Sequence, residues 1–344
     1  MGDTCNFDCV YCDREYIKKD IGSQNLKFND VDQIDKFFEV LENTPNSVKY
    51  VSFHGGEPLL YIKKIDQILD RIHKRIENIG ARVAMTTNGS LIEENEWFFA
   101  KWGYNFTITL SYDFRFQELN REKIDLPAIA RISQKHNCQN MFQFVVPTDQ
   151  PDAYDANTVA SVINDCKLLH CNAVNVIPLR HHRGSRKFKV LIDDINLTRF
   201  AINFMQFIQT LYVQGINVYI DGNYDKVDKA YLNNHGKLIL SPDGFIYPEF
   251  DFLEYKRHEF RIGEWKDNIA LYRSSDESQY LLEKCQTCEQ KSNCGLKYLY
   301  KMFDAEPKGA CVDFYATIDL MVKHLHKLKQ KPSLLHWIGY SDKY

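Results

Sequence analysis

Seven of the ten cysteines in this chain fall into two tight groups, and their spacing is where chemistry can begin. Cys5-Asn-Phe-Asp-Cys9-Val-Tyr-Cys12 has the spacing C-x3-C-x2-C, so three thiolates can converge from one short loop while supplying three ligands only. A four-iron cluster held this way keeps one iron open to a cofactor or substrate, unlike the four-cysteine ligation of an electron-transfer cluster. A zinc site with a distant fourth ligand is the alternative that spacing leaves open. The second group, Cys285-x2-Cys288-x5-Cys294 with Cys311 farther on, supplies four thiolates and could satisfy a cluster or a structural zinc equally well. Cys138, Cys166 and Cys171 stand apart and read as buried structural thiols.

Composition narrows the classes. With 344 residues and 44% hydrophobic content the chain can bury a large core and a smaller one. Forty-three Lys and Arg against 46 Asp and Glu give a net charge of -3, so global charge does not demand nucleic acid. No apolar run of about 18 residues and no charged-then-apolar start is found, which excludes a membrane span and a secretory signal. Ten cysteines without such a signal point to metal or redox chemistry in a reducing, cytoplasmic setting rather than to disulfides.

The elements that must position these residues come from hydrophobic patterning. Val48–His54, Arg82–Thr87, Phe106–Ser111, Met141–Val146 and Ala173–Leu179 are near-continuously apolar, as strands covered on both faces are. Amphipathic stretches alternate with them. Val31, Ile34, Phe38 and Leu41 mark one helix face, and Ile65, Ile68, Leu69, Ile72 and Ile76 another. Polar residues recur at the C-terminal strand ends, the rim where parallel α/β barrels place ligands. They are Gly55-Gly56-Glu57-Pro58, Thr86-Thr87-Asn88-Gly89 and Ser111-Tyr112-Asp113, then Gln143 and Arg180. A strand before Cys5 is expected to be truncated or missing. After a His- and Arg-rich loop and an apolar helix around Leu197–Val213, the segments 217–220, 237–240 and 245–247 read as short antiparallel strands. The expected division is 1–215, 216–325 and a tail 326–344.

With those residues in place, the chain resembles the radical S-adenosylmethionine (SAM) superfamily, whose C-x3-C-x-aromatic-C loop is matched down to Tyr11. The resemblance implies an α/β fold, a partial (β/α)6 TIM-like barrel, with a small C-terminal α+β iron–sulfur domain. It implies SAM and a [4Fe–4S] cluster on Cys5, Cys9 and Cys12 as cofactors. By the same resemblance Gly55, Gly56 and Glu57 would meet the SAM ammonium. Asn88, Ser111 and Asp113 would serve its carboxylate and ribose, and Gln143 and Arg180 would face the same site. The activity implied is reductive cleavage of SAM to a 5′-deoxyadenosyl radical that takes hydrogen from a substrate, fed by an external donor of flavodoxin or ferredoxin type.

Farther on, Leu240-Ser-Pro-Asp-Gly244-Phe-Ile-Tyr-Pro and Arg261-Ile-Gly263-Glu-Trp resemble the SPASM/Twitch extension of that superfamily. This implies an auxiliary [4Fe–4S] cluster on Cys285, Cys288, Cys294 and Cys311. Glu249 and Tyr298 stand where full SPASM domains carry further cysteines, so the inner cluster of that pattern is not expected. The extension is associated mainly with modification of peptides or proteins. Two other readings stay open. One is modification of a nucleotide, nucleic acid or small metabolite, with Arg180, His181, His182, Arg183, Arg186 and Lys187 as a basic rim loop. The other is a non-catalytic Fe–S or zinc electron-transfer protein, against which the glycine-rich turn and the three-cysteine loop both speak.

Overall fold

The computed structural model describes residues 4–12, 31–42, 50–146, 153–178, 194–220, 238–241, 244–247, 258–265, 270–271 and 281–287. Its centre is a six-stranded, wholly parallel sheet in chain order, β1 Tyr50–Phe53, β2 Arg82–Thr87, β3 Phe106–Ser111, β4 Gln139–Val146, β5 Ala173–Pro178 and β6 Asn217–Ile220. Each strand is followed or preceded by a helix, as parallel pairing requires. The helices that matter here are α1 Val31–Glu42, α2 Ile62–Asn78, α3 Glu96–Trp102, α4 Gln117–Asn120, α5 Leu126–Lys135, α6 Ala156–Leu168 and α7 Asp194–Val213. The sheet is open, as a partial barrel is.

Period-two alternation sorts the two faces of the sheet. Phe106, Ile108 and Leu110 point towards the helices, and Phe106 meets Phe98 and Phe99 of α3 edge-on at centroid distances of 5.4 and 6.1 Å. On β4 the same face carries Asn140, Phe142 and Phe144, and Asn140 bonds Ser133 of α5 and the Leu169 carbonyl after α6. The stripe Ile65, Ile68, Leu69, Ile72 and Ile76 of α2 is buried to 1% exposure or less. Those five side chains alone remove enough apolar surface to stabilise the layer by roughly 1.5–3 kcal/mol each. The opposite face, Thr107, Thr109 and Ser111 on β3 with Met141 and Gln143 on β4, turns away from the helices.

One expectation changes. Asn217–Ile220 is not the first antiparallel strand of the C-terminal part. It pairs parallel to β5, Ala173 with Asn217 and Val176 with Ile220, so the large sheet runs past residue 215. The physical reason is the preceding turn: after α7 the chain turns at Gly215 with φ +75, and Ile216 and Val218 bury against the core, leading the chain back as a crossover strand. The hairpin expected next is present as β7 Ile239–Leu240 and β8 Phe245–Tyr247, followed by β9 Gly263–Glu264 and β10 Ala270–Leu271 in a small antiparallel sheet. Trp265 locks that hairpin, its Nε1 donating to the Ser241 carbonyl at 2.8 Å while Arg261 lies 3.8 Å over the Phe245 ring. Cys285 sits in the short helix α8 Glu283–Gln286. Cys288, Cys294, Cys311, Glu249, Tyr298 and the basic loop from Arg180 to Lys187 lie outside the described residues.

Candidate active site

The three-cysteine loop is tied in turn to the C-terminal ends of β1, β2 and β3. After β1, the Glu57 amide donates to the Thr4 carbonyl at 2.9 Å. After β2, Asn88 Nδ2 donates to Asn6 Oδ1 at 2.9 Å, and Asn6 Nδ2 donates to Ser90 Oγ at 2.8 Å. After β3, the Tyr11 hydroxyl donates to Asp113 Oδ2 at 2.6 Å, and the Val10 amide donates to the Asn120 carbonyl at 3.0 Å. Three adjacent parallel strands therefore hold the loop at the rim where their polar ends collect. Within it, Cys12 N bonds the Cys9 carbonyl at 3.0 Å, and Cys5 Sγ accepts from the Phe7 amide at 3.5 Å and more weakly from Asn88 Nδ2 at 3.9 Å.

Glu57 is fully buried. Its Oε1 accepts from the Leu59 amide at 3.0 Å and from Thr87 Oγ1 at 2.6 Å, and its Oε2 accepts from the Asn88 amide at 2.8 Å. The carboxylate thus caps the one-turn helix that follows and fastens it to the end of β2. Burial pushes its carboxyl above the usual carboxylate range, and the three hydrogen bonds pull in the opposite direction. Gly55 and Gly56, just ahead of it, are part-exposed at the rim. Gly89 closes the neighbouring turn at φ +83, and a Cβ there would lie 2.5 Å from Leu110 Cδ1, so both backbone and packing require glycine.

Asp113 is the second fully buried carboxylate. Its Oδ2 accepts from Tyr11 and from Asn120 Nδ2 at 3.2 Å and is ion-paired with Arg121 Nε at 3.3 Å, and Oδ1 accepts from the Val145 amide at 3.3 Å. Arg121, with a side chain 8% exposed, also donates to the Tyr11 hydroxyl and stacks 5.2 Å from its ring. Burial alone would lower the Arg121 pKa, but Tyr11, Asp113 and Cys9 around it raise it, so it stays charged. Phe114, next along, has φ 50, a conformation side chains rarely adopt. Packing against Tyr112, Phe142 and Phe144 at 5.0–5.3 Å holds it there and turns Asp113 back towards the loop.

On the sheet face turned away from the helices, a polar level runs across three strands, because Ser111 pairs with Gln143 and Gln143 with Asn175. Ser111 and Asn175 are buried, Gln143 is half-buried, and Asn175 Oδ1 has no hydrogen-bond partner among the described residues. Asn175 is a residue that sequence reasoning passed over, since it reads as one polar interruption in an apolar strand. Tyr11 was noted only as part of a motif and Arg121 not at all. Nothing local marks Arg121, which acts through groups 110 and 8 positions away. The scattered thiols lie where expected: Cys138 and Cys171 precede β4 and β5 at the far end of the strands, and Cys166 is within α6.

Three thiols on one short loop are the kind of donor set that an iron–sulfur cluster takes. Cys5, Cys9 and Cys12 lie near enough to act on one another electrostatically, and among the described residues no three His, Cys, Asp or Glu side chains meet at a single point. Thiolates of an iron–sulfur cluster each take a different iron, so they need not meet as the ligands of one zinc ion do. Residues 1–122 match the family model described as the radical SAM superfamily. The matched part of the chain, residues 1–122, is therefore similar to radical SAM domains. The family implies SAM and a [4Fe–4S] cluster. A radical SAM cyclopropyl synthase, TigE, from Paramaledivibacter caminithermalis is 28% identical over 123 residues, 33% of this chain and 26% of that one. An uncharacterized protein of Methanocaldococcus jannaschii is 33% identical over 90 residues, 26% of this chain and 29% of that one. The matches thus span less than a third of either curated relative.

Solved structures extend the likeness in fold beyond the radical SAM domain. anSMEcpe with bound AdoMet superposes with a TM-score of 0.64 at 19% identity, covering 94% of this chain and 95% of that one. Streptococcus suis SuiB bound to S-adenosylmethionine gives 0.59 at 16% identity, covering 85% and 70%. Both proteins are also solved with peptides, anSMEcpe with Cp18Cys and SuiB with its precursor peptide SuiA. Among the described residues no helix is long and apolar enough to cross a membrane.

Proposed function

We propose that this protein cleaves SAM reductively at a [4Fe–4S] cluster on Cys5, Cys9 and Cys12 and modifies a residue of a peptide or protein. The observation that carries the reading is the fastening of a three-thiol loop, one ligand short of a closed cluster, to three consecutive strand ends lined with polar groups. When bound, the cluster and SAM together supply one-electron cleavage and a carbon radical able to take hydrogen from an unreactive C–H bond. The chain's own residues orient and desolvate. Gly55 and Gly56 offer backbone at the rim without a Cβ in the way, and Ser111, Gln143 and Asn175 offer hydrogen bonds from the face beneath. Glu57, Asn88 and Asp113 contribute through what they hold, since their polar atoms already bind the turns and the loop. Arg180 would complete the site from the strand end after β5.

A peptide substrate is favoured by the likeness in fold to two proteins solved with peptides and by the cyclopropyl synthase match. A second cluster on Cys285, Cys288, Cys294 and Cys311, serving structure or electron relay, follows from four thiolates that leave no iron open. Protein reconstituted without oxygen is expected to hold about eight irons per chain and, with SAM and a reductant, to release 5′-deoxyadenosine. Replacing Cys5, Cys9 and Cys12 by Ala is expected to abolish that product and keep the remaining iron. Cleavage that survives the triple change, or stoichiometric zinc in place of iron, overturns the assignment.

A further inference from the structure

Asn175 is 4% exposed, and its Oδ1 accepts no hydrogen bond among the described residues. An acceptor buried in this way costs stability, since nothing replaces the water it has lost. The strand has no need of an amide there. Val174 and Val176 on either side of it are apolar and fully buried, and a third apolar side chain would complete the continuous run that a strand covered on both faces carries. Asn175 faces away from the helices, in register with Gln143 and, through it, with Ser111, so its acceptor belongs to the polar level that lines the candidate site.

We propose that Asn175 positions the peptide substrate, its Oδ1 accepting a hydrogen bond from a backbone N–H of that peptide. This rests on the reading of the site as a SAM-dependent, peptide-modifying one. Two features of the sheet set Asn175 apart from the SAM end. The cysteine loop is fastened to the ends of β1, β2 and β3, so the cluster and SAM belong there, whereas Asn175 is on β5, two strands beyond Ser111 and roughly 10 Å away at the usual strand spacing. A substrate has to approach from the side that the loop does not close, and β4 and β5 are the strands on that side. These two strands also run on past Gln143 and Asn175 to Val146 and Pro178, about 10 Å of extended chain, while β3 ends at Ser111. The Asn175 end of the level is thus set below the strand ends, where a bound segment is shielded from water. A carbonyl oxygen accepts and cannot donate, and backbone N–H is the donor that peptides of any sequence carry.

The test compares the two ends of the polar level in the reconstituted full-length protein. Asn175→Leu is expected to lower the unfolding constant about tenfold, read from the denaturant midpoint, because it removes an unsatisfied acceptor and keeps the branching of the side chain. If Leu overfills the place and the protein does not fold, Asn175→Val, which repeats the flanking residues, makes the same comparison. The SAM dissociation constant of the Asn175 variant, measured by equilibrium dialysis, stays within about threefold of wild type, whereas Ser111→Ala weakens SAM about tenfold. N-methylacetamide, which carries one peptide N–H, narrows the stability gap between wild type and the Asn175 variant, and N,N-dimethylacetamide, which carries none, leaves it. Equal or lower stability in both Asn175 variants overturns the proposal, because the acceptor is then already satisfied or holds the fold. SAM binding weakened as much as in Ser111→Ala overturns it by giving Asn175 to SAM, and so does a gap that both amides narrow or that neither narrows. A wild-type protein that binds no SAM would sink the underlying reading instead, in a measurement made before any variant is compared.

Discussion

Glu57 and Asp113 are two carboxylates of equal burial at the ends of β1 and β3, and they are satisfied by opposite means. Glu57 is surrounded by neutral donors, two amides and a hydroxyl, all from its own and the next strand's turn. Asp113 is matched by a cation and a phenol that belong to different parts of the chain. Neutral donors satisfy a buried charge but do not cancel it, so burial keeps the upper hand on Glu57. An ion pair offsets the charge directly. The Glu57 knot fixes the shape of the rim, whereas the Asp113 knot fastens the cysteine loop to β3 and the segment after it.

The contrast predicts unequal damage. Arg121→Met leaves Asp113 buried with no counter-ion, and removing one partner of such a pair destabilises by about 3–5 kcal/mol, readable as a lower denaturant midpoint of the folded protein. A loss under about 1 kcal/mol would mean that Asp113 is reached by water or protonated. Glu57→Gln should cost less, about 1–3 kcal/mol, because Leu59 and Thr87 can still bond the amide oxygen while Asn88 N–H meets the new NH2 group. If it costs as much as Arg121→Met, the two knots are not different in kind. Tyr11→Phe removes one of the three hydrogen-bond donors to Asp113 and should cost about 1 kcal/mol. Unlike the Glu57 change, it should also make the cysteine loop more open to hydrogen exchange from Val10 to Cys12.

Much of this site was legible in the residues. Arg82–Thr87 and Phe106–Ser111 appear as strands with the expected ends, because a continuous apolar run bounded by Asn-Gly or Ser-Tyr-Asp has few other ways to bury itself. The rim positions of Glu57, Asn88, Ser111 and Asp113 followed from their places at strand ends. What those side chains bond to was not legible. Whether a buried carboxylate meets a ligand or its own chain depends on which donors the fold brings from afar, and Tyr11 comes from 102 positions away. The sixth strand is legible as a strand but not in its pairing, for a related reason: Asn-Val-Tyr-Ile carries the same alternation in a parallel crossover strand as in a hairpin, and only pairing with β5 decides.

The smallest expected effect separates the two carboxylates by pH. Glu57 has a folded-state pKa raised above its ordinary value of 4.5, so between that value and the folded one the native protein holds a proton that the unfolded chain has released. Stability then falls as pH rises through that window, the reverse of a carboxylate whose pKa is depressed. Glu57→Gln cannot titrate and lacks this slope. The stability difference between wild type and Glu57→Gln should therefore be largest near pH 4 and shrink as pH rises past the folded pKa. Half-buried carboxylates with lowered pKa values, Glu96 beside Lys135 and Asp155 at the start of α6, act alike in both proteins and cancel in the difference. Thermal unfolding of the pair across that range measures it. A difference that grows with pH would show that the three hydrogen bonds outweigh burial, making Glu57 a true anion site.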